Sequence, residues 1–90
     1  MKPNEEPQAA MNQLLNVKKA YEQQLLGKPN VVGVGIGYAK VGGVTTDTLA
    51  LVVLVTQKVP PARLGPGDQI PPVIEGVPVD VQEVGKIVAL

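Results

Sequence analysis

The sequence predicts an α+β fold in which one long N-terminal helix packs on a small, mainly antiparallel sheet of three or four strands. Three observations support this prediction. Apolar residues recur at helical spacing over the first third of the chain. Two apolar stretches then have the alternation or continuity of strands, at residues 31–39 and 49–55. A last alternating stretch at 77–84 follows a segment rich in proline.

The chain is expected to form a single domain, residues 1–90, with a thin aliphatic core. It contains no Phe, no Trp and two Tyr, so Val, Leu, Ile and Ala must fill the interior. A domain of this size buries only about 60–65% of the surface that its unfolded chain exposes. Further burial against a partner would therefore add to its stability.

Charge and residue types argue against several classes of function. Eight basic and eight acidic residues give a net charge of zero, whereas nucleic-acid binding needs a basic surface. Cysteine is absent, which excludes disulfides and thiolate metal sites. The polar, acidic N-terminus does not resemble a signal peptide, and the longest apolar run is too short for a membrane-spanning helix. We expect no nucleic-acid or membrane partner and, by default, a cytoplasmic location.

Residues 4–27 have the features of the predicted helix. Asn4 suits the N-cap, and two glutamates follow in the first turn, where the helix dipole favours negative charge. Gly27 suits the position after the last helical residue, and Pro29 prevents continuation. The polar face mixes both charge signs, which disfavours a membrane-surface helix. The apolar residues form one stripe that would cover a sheet: Ala10, Leu14, Val17, Tyr21 and Leu25.

A central hairpin is predicted over residues 30–58. Its first strand alternates larger apolar side chains with glycines, so the glycines share one face. A loop over residues 40–47 follows, marked by the turn signal Gly42-Gly43. The second strand, residues 48–58, is apolar at seven consecutive positions, which places it inside the sheet with both faces covered.

The last third of the chain is predicted to begin with a proline-rich connection, residues 59–72. Its five prolines fix φ and remove hydrogen-bond donors, which disfavours regular structure. Residues 73–90 are then predicted to form C-terminal strands around Glu75-Gly76, a tight-turn signal. Alternation over residues 77–84 is typical of a half-buried strand, and its proline places it at a sheet edge or a strand start.

The glycines of the first strand form the pattern G-x-G-x-G at Gly33, Gly35 and Gly37. A dinucleotide-binding loop would instead need G-x-G-x-x-G at the start of a helix, and here the next element is a strand. Glycine on one face of a strand lets another backbone or a helix approach closely. We therefore interpret these three residues as a close-packing face, and we expect no cofactor.

Catalysis is not expected, because the chain contains no Ser, His or Cys. Three carboxylates lie close in sequence, those of Glu75, Asp80 and Glu83, but strand alternation separates them. Each of them fits a solvated surface better than an acid–base pair or a cation site. The sequence therefore predicts a protein that is not an enzyme and holds no metal.

Three segments of the chain resemble a known family. They are PNVVGVGIGY (29–38), TDTLALVVLV (46–55) and IPPVIEGVPVDVQEVG (70–85). They resemble the N-terminal region of bacterial trypsin-like serine peptidases and of related hypothetical proteins, which in that family precedes the catalytic domain. The resemblance implies no active site here, since a chain without Ser or His can supply neither of those members of a catalytic triad.

These observations favour a non-catalytic structural or interaction module that associates with copies of itself, as a homo-oligomer or a fibre subunit. The candidate contacts are the apolar segments at the C-terminal end, which lack the charge that usually protects strand edges: Val84, Ile87, Val88 and Leu90. The alternative is a prodomain-like regulator that binds a separately encoded trypsin-like peptidase. A peptidase encoded beside this chain would favour the alternative, and assembly of the pure chain would favour self-association.

Overall fold

A computed structural model describes residues 6–65 and 67–85 and confirms the α+β prediction. One helix, α1 (Glu6–Leu26), packs on a four-stranded sheet with the strand order β1-β2-β4-β3. Neighbouring strands are antiparallel in the pairs β1–β2 and β3–β4, and parallel in the pair β2–β4. The strands are β1 (Val31–Val41), β2 (Val44–Val55), β3 (Val73–Ile74) and β4 (Val77–Glu83).

Helix α1 covers one face of this sheet with four of the five residues of the predicted stripe, whereas the fifth, Ala10, is exposed. Leu14, Val17 and Leu25 are buried, and Tyr21 packs against them from a half-buried position. The predicted N-cap, Asn4, lies outside the described residues. Gly27 follows the helix as expected, and its N–H donates to the carbonyl of Gln23 at 3.1 Å, which extends the helical pattern by one bond.

The strands contribute the other half of the core from a single face. The predicted alternation of β4 holds, since its valines at odd positions face the helix while its even positions point away. On β2, the side chains of Leu51 and Val53 are fully buried, in agreement with its predicted place inside the sheet. The sheet residues of the core are Val31, Val34, Ile36, Leu49, Leu51, Val53, Val55, Ile74, Val77, Val79 and Val81.

The hairpin of β1 and β2 differs from its prediction in the length of its loop. Instead of a loop over residues 40–47, a two-residue turn at Gly42-Gly43 joins the strands. Both glycines have positive φ, 57° and 81°, as the tight primed hairpin turns require. β2 therefore starts at Val44 and ends at Val55 rather than spanning 48–58, and β1 lies at the edge of the sheet.

A second two-residue turn joins β3 to β4, as the dipeptide Glu75-Gly76 predicted. These residues have φ of 48° and 79°, and Ile74 pairs with Val77 across the turn. The side-chain amide of Gln13 donates a 2.9 Å hydrogen bond to the carbonyl of Glu75, which ties the turn to α1. In the described part of the proline-rich connection, the regular structure consists of one 3₁₀ turn, Pro61–Arg63.

Helix α1 is not apolar enough to cross a membrane, and no other helix in the described part of the chain qualifies.

Candidate interaction surface

The outer side of β1 forms a free edge of the sheet. β2 pairs with its inner side from Val31 to Val41, and no described strand pairs with the outer side. An edge strand presents a row of backbone N–H and C=O groups that can accept another strand. The direction of each backbone N–H and C=O group on β1 therefore decides which of them can bond to another strand.

Bonds at the end of β2 fix those directions. The N–H of Thr56 donates to the carbonyl of Asn30 at 2.9 Å. The backbone N–H and C=O groups of even-numbered residues in β2 therefore point toward β1. The N–H of Val84 donates to the carbonyl of Val55 at 2.8 Å. The backbone N–H and C=O groups of odd-numbered residues in β2 therefore point toward β4. The even-numbered residues of β2 oppose the three glycines of β1 in the strand register. The glycines are thus the residues of β1 that bond to β2.

The backbone groups that point outward from β1 belong to Val34, Ile36 and Tyr38, which alternate with the glycines. Among residues 6–65 and 67–85, none bonds to these outward groups. No charged residue occurs on β1 before Lys40, and the exposed side chains include Val32 at 41% and Tyr38 at 53%. From Val31 to Ala39, this edge lacks the lysines and prolines that proteins commonly place on free strands.

The three glycines lie on the face of β1 that is turned away from α1. A Cβ built on Gly35 would meet no described atom within 4 Å. A Cβ on Gly33 would lie 3.3 Å from Cδ1 of Leu54, and one on Gly37 would lie 3.4 Å from Cγ2 of Val52. Close approach by another backbone at this face stays a prediction, since the nearest described atoms are side chains of the adjacent strand.

The tip of the β1–β2 hairpin bends at an irregularity in the strand register. Tyr38 pairs with Leu49, but Lys40 pairs with Thr45, so β2 contains extra residues at this point. The hydroxyl of Thr46 donates to the carbonyl of Ala39 at 2.8 Å and holds the bend. The bend brings the end of β1 toward β4, so that part of the face opposite α1 is covered.

At the other side of the sheet, β4 has a free edge because prolines interrupt its partner. The N–H of Val79 donates to the carbonyl of Pro72 at 2.9 Å, but Pro72 has no N–H to return a bond. β3 is therefore limited to Val73 and Ile74. The N–H and C=O of Val81 face the same way as those of Val79, and no described residue bonds to them.

A cleft of about 390 Å³ lies where the proline-rich connection diverges from this edge. Lys28 holds the connection in place, since its Nζ donates to the carbonyl of Gly67 at 2.5 Å. The charged residues at the cleft are Lys58, Asp68 and Asp80. The apolar residues at the cleft are Val55, Val59, Leu64, Ile70 and Val81.

A smaller hollow of about 270 Å³ lies between the end of α1 and β3. Tyr21 and Glu75 both line it, and the negative charge of Glu75 raises the pKa of the Tyr21 phenol above its ordinary value of about 10. Desolvation and a hydrogen bond to Glu75 act in the same direction. A phenol that keeps its proton more firmly is not a base at neutral pH.

Of the four predicted contact residues, the structure describes one, Val84. Val84 is 45% exposed just beyond β4, whereas Ile87, Val88 and Leu90 lie outside the described residues. In the described part of the chain, no group of three metal-binding residues comes together. Asp80 and Glu83 lie on opposite faces of β4, as strand alternation requires.

Sequence reasoning missed the free edge of β1. For the strand at residues 77–84 it predicted a sheet edge or a strand start, and Pro78 lies at the start of β4. A signal for the edge at β4 was present, since Pro71 and Pro72 cannot donate to a neighbouring strand. The cleft beside it depends on the path of a fourteen-residue connection, which periodicity does not predict.

Comparison with models of protein families finds no match, and comparison with curated proteins finds no significant similarity. The resemblance to the N-terminal regions of trypsin-like peptidases stays a prediction.

Proposed function

We propose that this chain is a non-catalytic structural module that associates with copies of itself through the outer edge of β1. The observation that supports this most directly is a row of backbone groups at Val34, Ile36 and Tyr38 to which no described residue bonds, on a strand without charge up to Lys40. Such an edge normally carries charges, prolines or a covering element, because it otherwise pairs with any available strand.

Two copies of β1 would pair antiparallel about a twofold axis perpendicular to the sheet. This is the usual geometry of a self-complementary interface, in which the same residues contribute from both sides. The two four-stranded sheets would join into one sheet of eight strands, with both helices on the same face. The glycine faces of the two copies would lie side by side on the opposite face, open to close approach.

The energetics of this pairing come from backbone bonds and from apolar contact. Each added backbone hydrogen bond contributes about 0.5–1.5 kcal/mol net. The exposed parts of Val32 and Tyr38 would become covered, which adds a hydrophobic term of about 25 cal/mol per Å² of apolar surface buried. A small aliphatic core gains more from such additional burial than a large domain does.

The test measures molar mass in solution by light scattering over a range of protein concentrations. The edge variant combines Val32→Lys with Tyr38→Lys, which places charge on the exposed side chains of β1. The control variant combines Leu15→Lys with Leu26→Lys on α1, where the side chains have matched exposures of 50% and 42%. We expect the unmodified chain and the control to form dimers or larger species, and the edge variant to be monomeric.

Two results would contradict the proposal. One is a monomeric mass for the unmodified chain at about 100 μM, a concentration at which an interface with a Kd of about 1 μM would be mostly formed. The other is a control variant that loses association while the edge variant keeps it, which would move the interface to the exposed face of α1. Circular dichroism spectra of both variants establish that the fold is retained.

A further inference from the structure

We propose that β1 pairs with β1 of a second copy in one register, with Ile36 directly opposite Ile36 of that copy. This inference rests on the proposed self-association and names the residues that face each other across its twofold axis. Sliding one strand along the other by two residues preserves the direction of every backbone group but changes every opposing pair. The irregular positions of β1 decide between these alternatives.

The regular part of β1 is short, because an irregularity bounds it at each end. Its pairing with β2 shifts once between Val31 and Gly33 and again between Tyr38 and Lys40. Next to the second shift, the N–H of Lys40 already donates to the carboxylate of Asp80 at 2.9 Å and is not available to an added strand. An incoming strand therefore forms regular ladder bonds only between the two irregularities.

The outward backbone groups of this stretch belong to Val34, Ile36 and Tyr38, and they select the register. With Ile36 at the centre, Val34 of each copy opposes Tyr38 of the other, and Ile36 opposes itself. Every outward residue then has a partner with which it exchanges two backbone hydrogen bonds. If the centre moves to Gly35 or to Gly37, one outward residue of each copy lies opposite an irregular position and loses its bonds. The register centred on Ile36 therefore forms the most complete ladder.

The side chains also fit this register. Val34, Ile36 and Tyr38 share the face of β1 that is turned toward α1. The first two pack against the core, whereas Tyr38 is 53% exposed. In the paired strands, the ring of Tyr38 would lie beside Val34 of the second copy, and pairs of an aromatic with a β-branched residue stabilise neighbouring strands. The twofold axis repeats this contact, so both tyrosines become covered.

On the opposite face, Gly35 of each copy lies directly across from Gly37 of the other, in a pair without mutual hydrogen bonds. The Cα atoms of such a pair are about 4.5 Å apart. A Cβ on Gly35 would meet no described atom within 4 Å, and one on Gly37 would lie 3.4 Å from Cγ2 of Val52, at the limit of ordinary contact. Small side chains introduced at these two positions can therefore report the register.

The absence of cysteine from the sequence allows a test by disulfide cross-linking of full-length chains. Gly35→Cys and Gly37→Cys are prepared separately, one of them isotope-labelled, then mixed and oxidised, and mass spectrometry separates mixed dimers from like dimers. The proposed register places the mixed pair directly opposite, whereas two like cysteines are diagonal neighbours about 7–8 Å apart, beyond the reach of a disulfide. Pairing raises the local concentration of the opposed thiols, so we expect at least about tenfold more mixed dimer than either like dimer.

The outcomes separate the register from the self-association on which it rests. A preponderance of either like dimer would move the centre to Gly35 or Gly37 and overturn the register, while pairing of the β1 edges would stand. Gly35→Cys mixed with Ala62→Cys, an exposed residue of the 3₁₀ turn, measures random collision. Cross-linking no higher than in this control would overturn the register, and a monomeric mass by light scattering would overturn the proposed self-association as well.

A second variant keeps the test decisive if Gly37→Cys does not fold. Ile36→Cys alone then replaces the mixture, because the proposed register places Ile36 opposite its own copy, in a hydrogen-bonded pair with Cα atoms about 5.5 Å apart. This distance lies within the range that a disulfide bridges. We expect Ile36→Cys to form at least about tenfold more disulfide dimer than Ala62→Cys alone. Equal yields from these two variants would contradict the register.

Discussion

The backbone N–H of Lys40 on β1 donates a 2.9 Å hydrogen bond to a carboxylate oxygen of Asp80 on β4, although β2 lies between these two strands. The same oxygen accepts a 2.9 Å bond from the side-chain amide of Gln82. The bent tip of the hairpin thus closes over the face of the sheet opposite α1. Ala50 is fully buried on that face, and Val52 is 8% exposed.

Replacing Asp80 by Ala should destabilise the fold, because it leaves the N–H of Lys40 without its acceptor. A hydrogen bond to a charged group contributes about 1.5–3 kcal/mol, and we expect a loss near the lower end at this partly exposed position. The midpoint of urea denaturation measures the change. Asp47→Ala, at an exposed carboxylate on β2, is the control and should change stability by less than about 0.5 kcal/mol. Equal effects of the two changes would contradict a specific role for Asp80.

Replacing Gln13 by Ala should loosen the attachment of the β3–β4 turn to α1. The 2.9 Å bond from its amide to the carbonyl of Glu75 contributes about 0.5–1.5 kcal/mol. Ala itself favours helix formation slightly, so Gln23→Ala on the exposed face of α1 supplies the matched reference. Denaturation midpoints should be lower for the first variant than for the second, and the reverse order would count against this bond.

Replacing Gly35 by Val should leave the stability of the monomer unchanged or increase it. The new Cβ meets no described atom within 4 Å, and β-branched residues suit strands. Gly33→Val is the comparison, because its Cβ would lie 3.3 Å from Cδ1 of Leu54 and must displace that side chain. Overpacking of this kind costs about 1–3 kcal/mol. A loss at Gly35 as large as at Gly33, measured on dilute protein, would indicate a hidden contact.

Replacing Glu75 by Gln should lower the pKa of the Tyr21 phenol toward its ordinary value, since the largest cause of the rise is removed. Ultraviolet titration of the tyrosinate, in a chain with Tyr38→Phe, measures this pKa for Tyr21 alone. A raised folded pKa means that the native state binds a proton more tightly than the unfolded state. The associated stability is therefore complete below about pH 10 and is lost as the pH rises through the folded pKa. An unchanged titration curve in the Glu75→Gln variant would refute the electrostatic cause.

The sequence allowed the fold class and the core face of β4 to be predicted, because those features depend on local periodicity. Val77, Val79 and Val81 share one face in any strand, whatever its neighbours are. The turns were equally local, since Glu75-Gly76 needs positive φ at both positions. These elements required no knowledge of the distant chain.

The parts that escaped prediction depend on distant contacts. The turn signal at Gly42-Gly43 and the polar residues after it predict a loop at Thr45, Thr46 and Asp47, but β-branched threonine also suits a largely exposed strand. The parallel pairing of β2 with β4 follows from the path of residues 59–72, which has no periodic pattern. The free edge of β1 likewise exists because β4 pairs with the other side of β2.

The mixed sheet also has a consequence for the order of folding events. The two hairpins join residues only three positions apart at their turns, Val41 with Val44 and Ile74 with Val77, so each can form at a small cost in chain entropy. The parallel contact joins Leu51 to Val79 and must close the whole proline-rich connection first. Non-local pairing of this kind slows folding, so we expect the union of the two hairpins, rather than the formation of either, to set the rate.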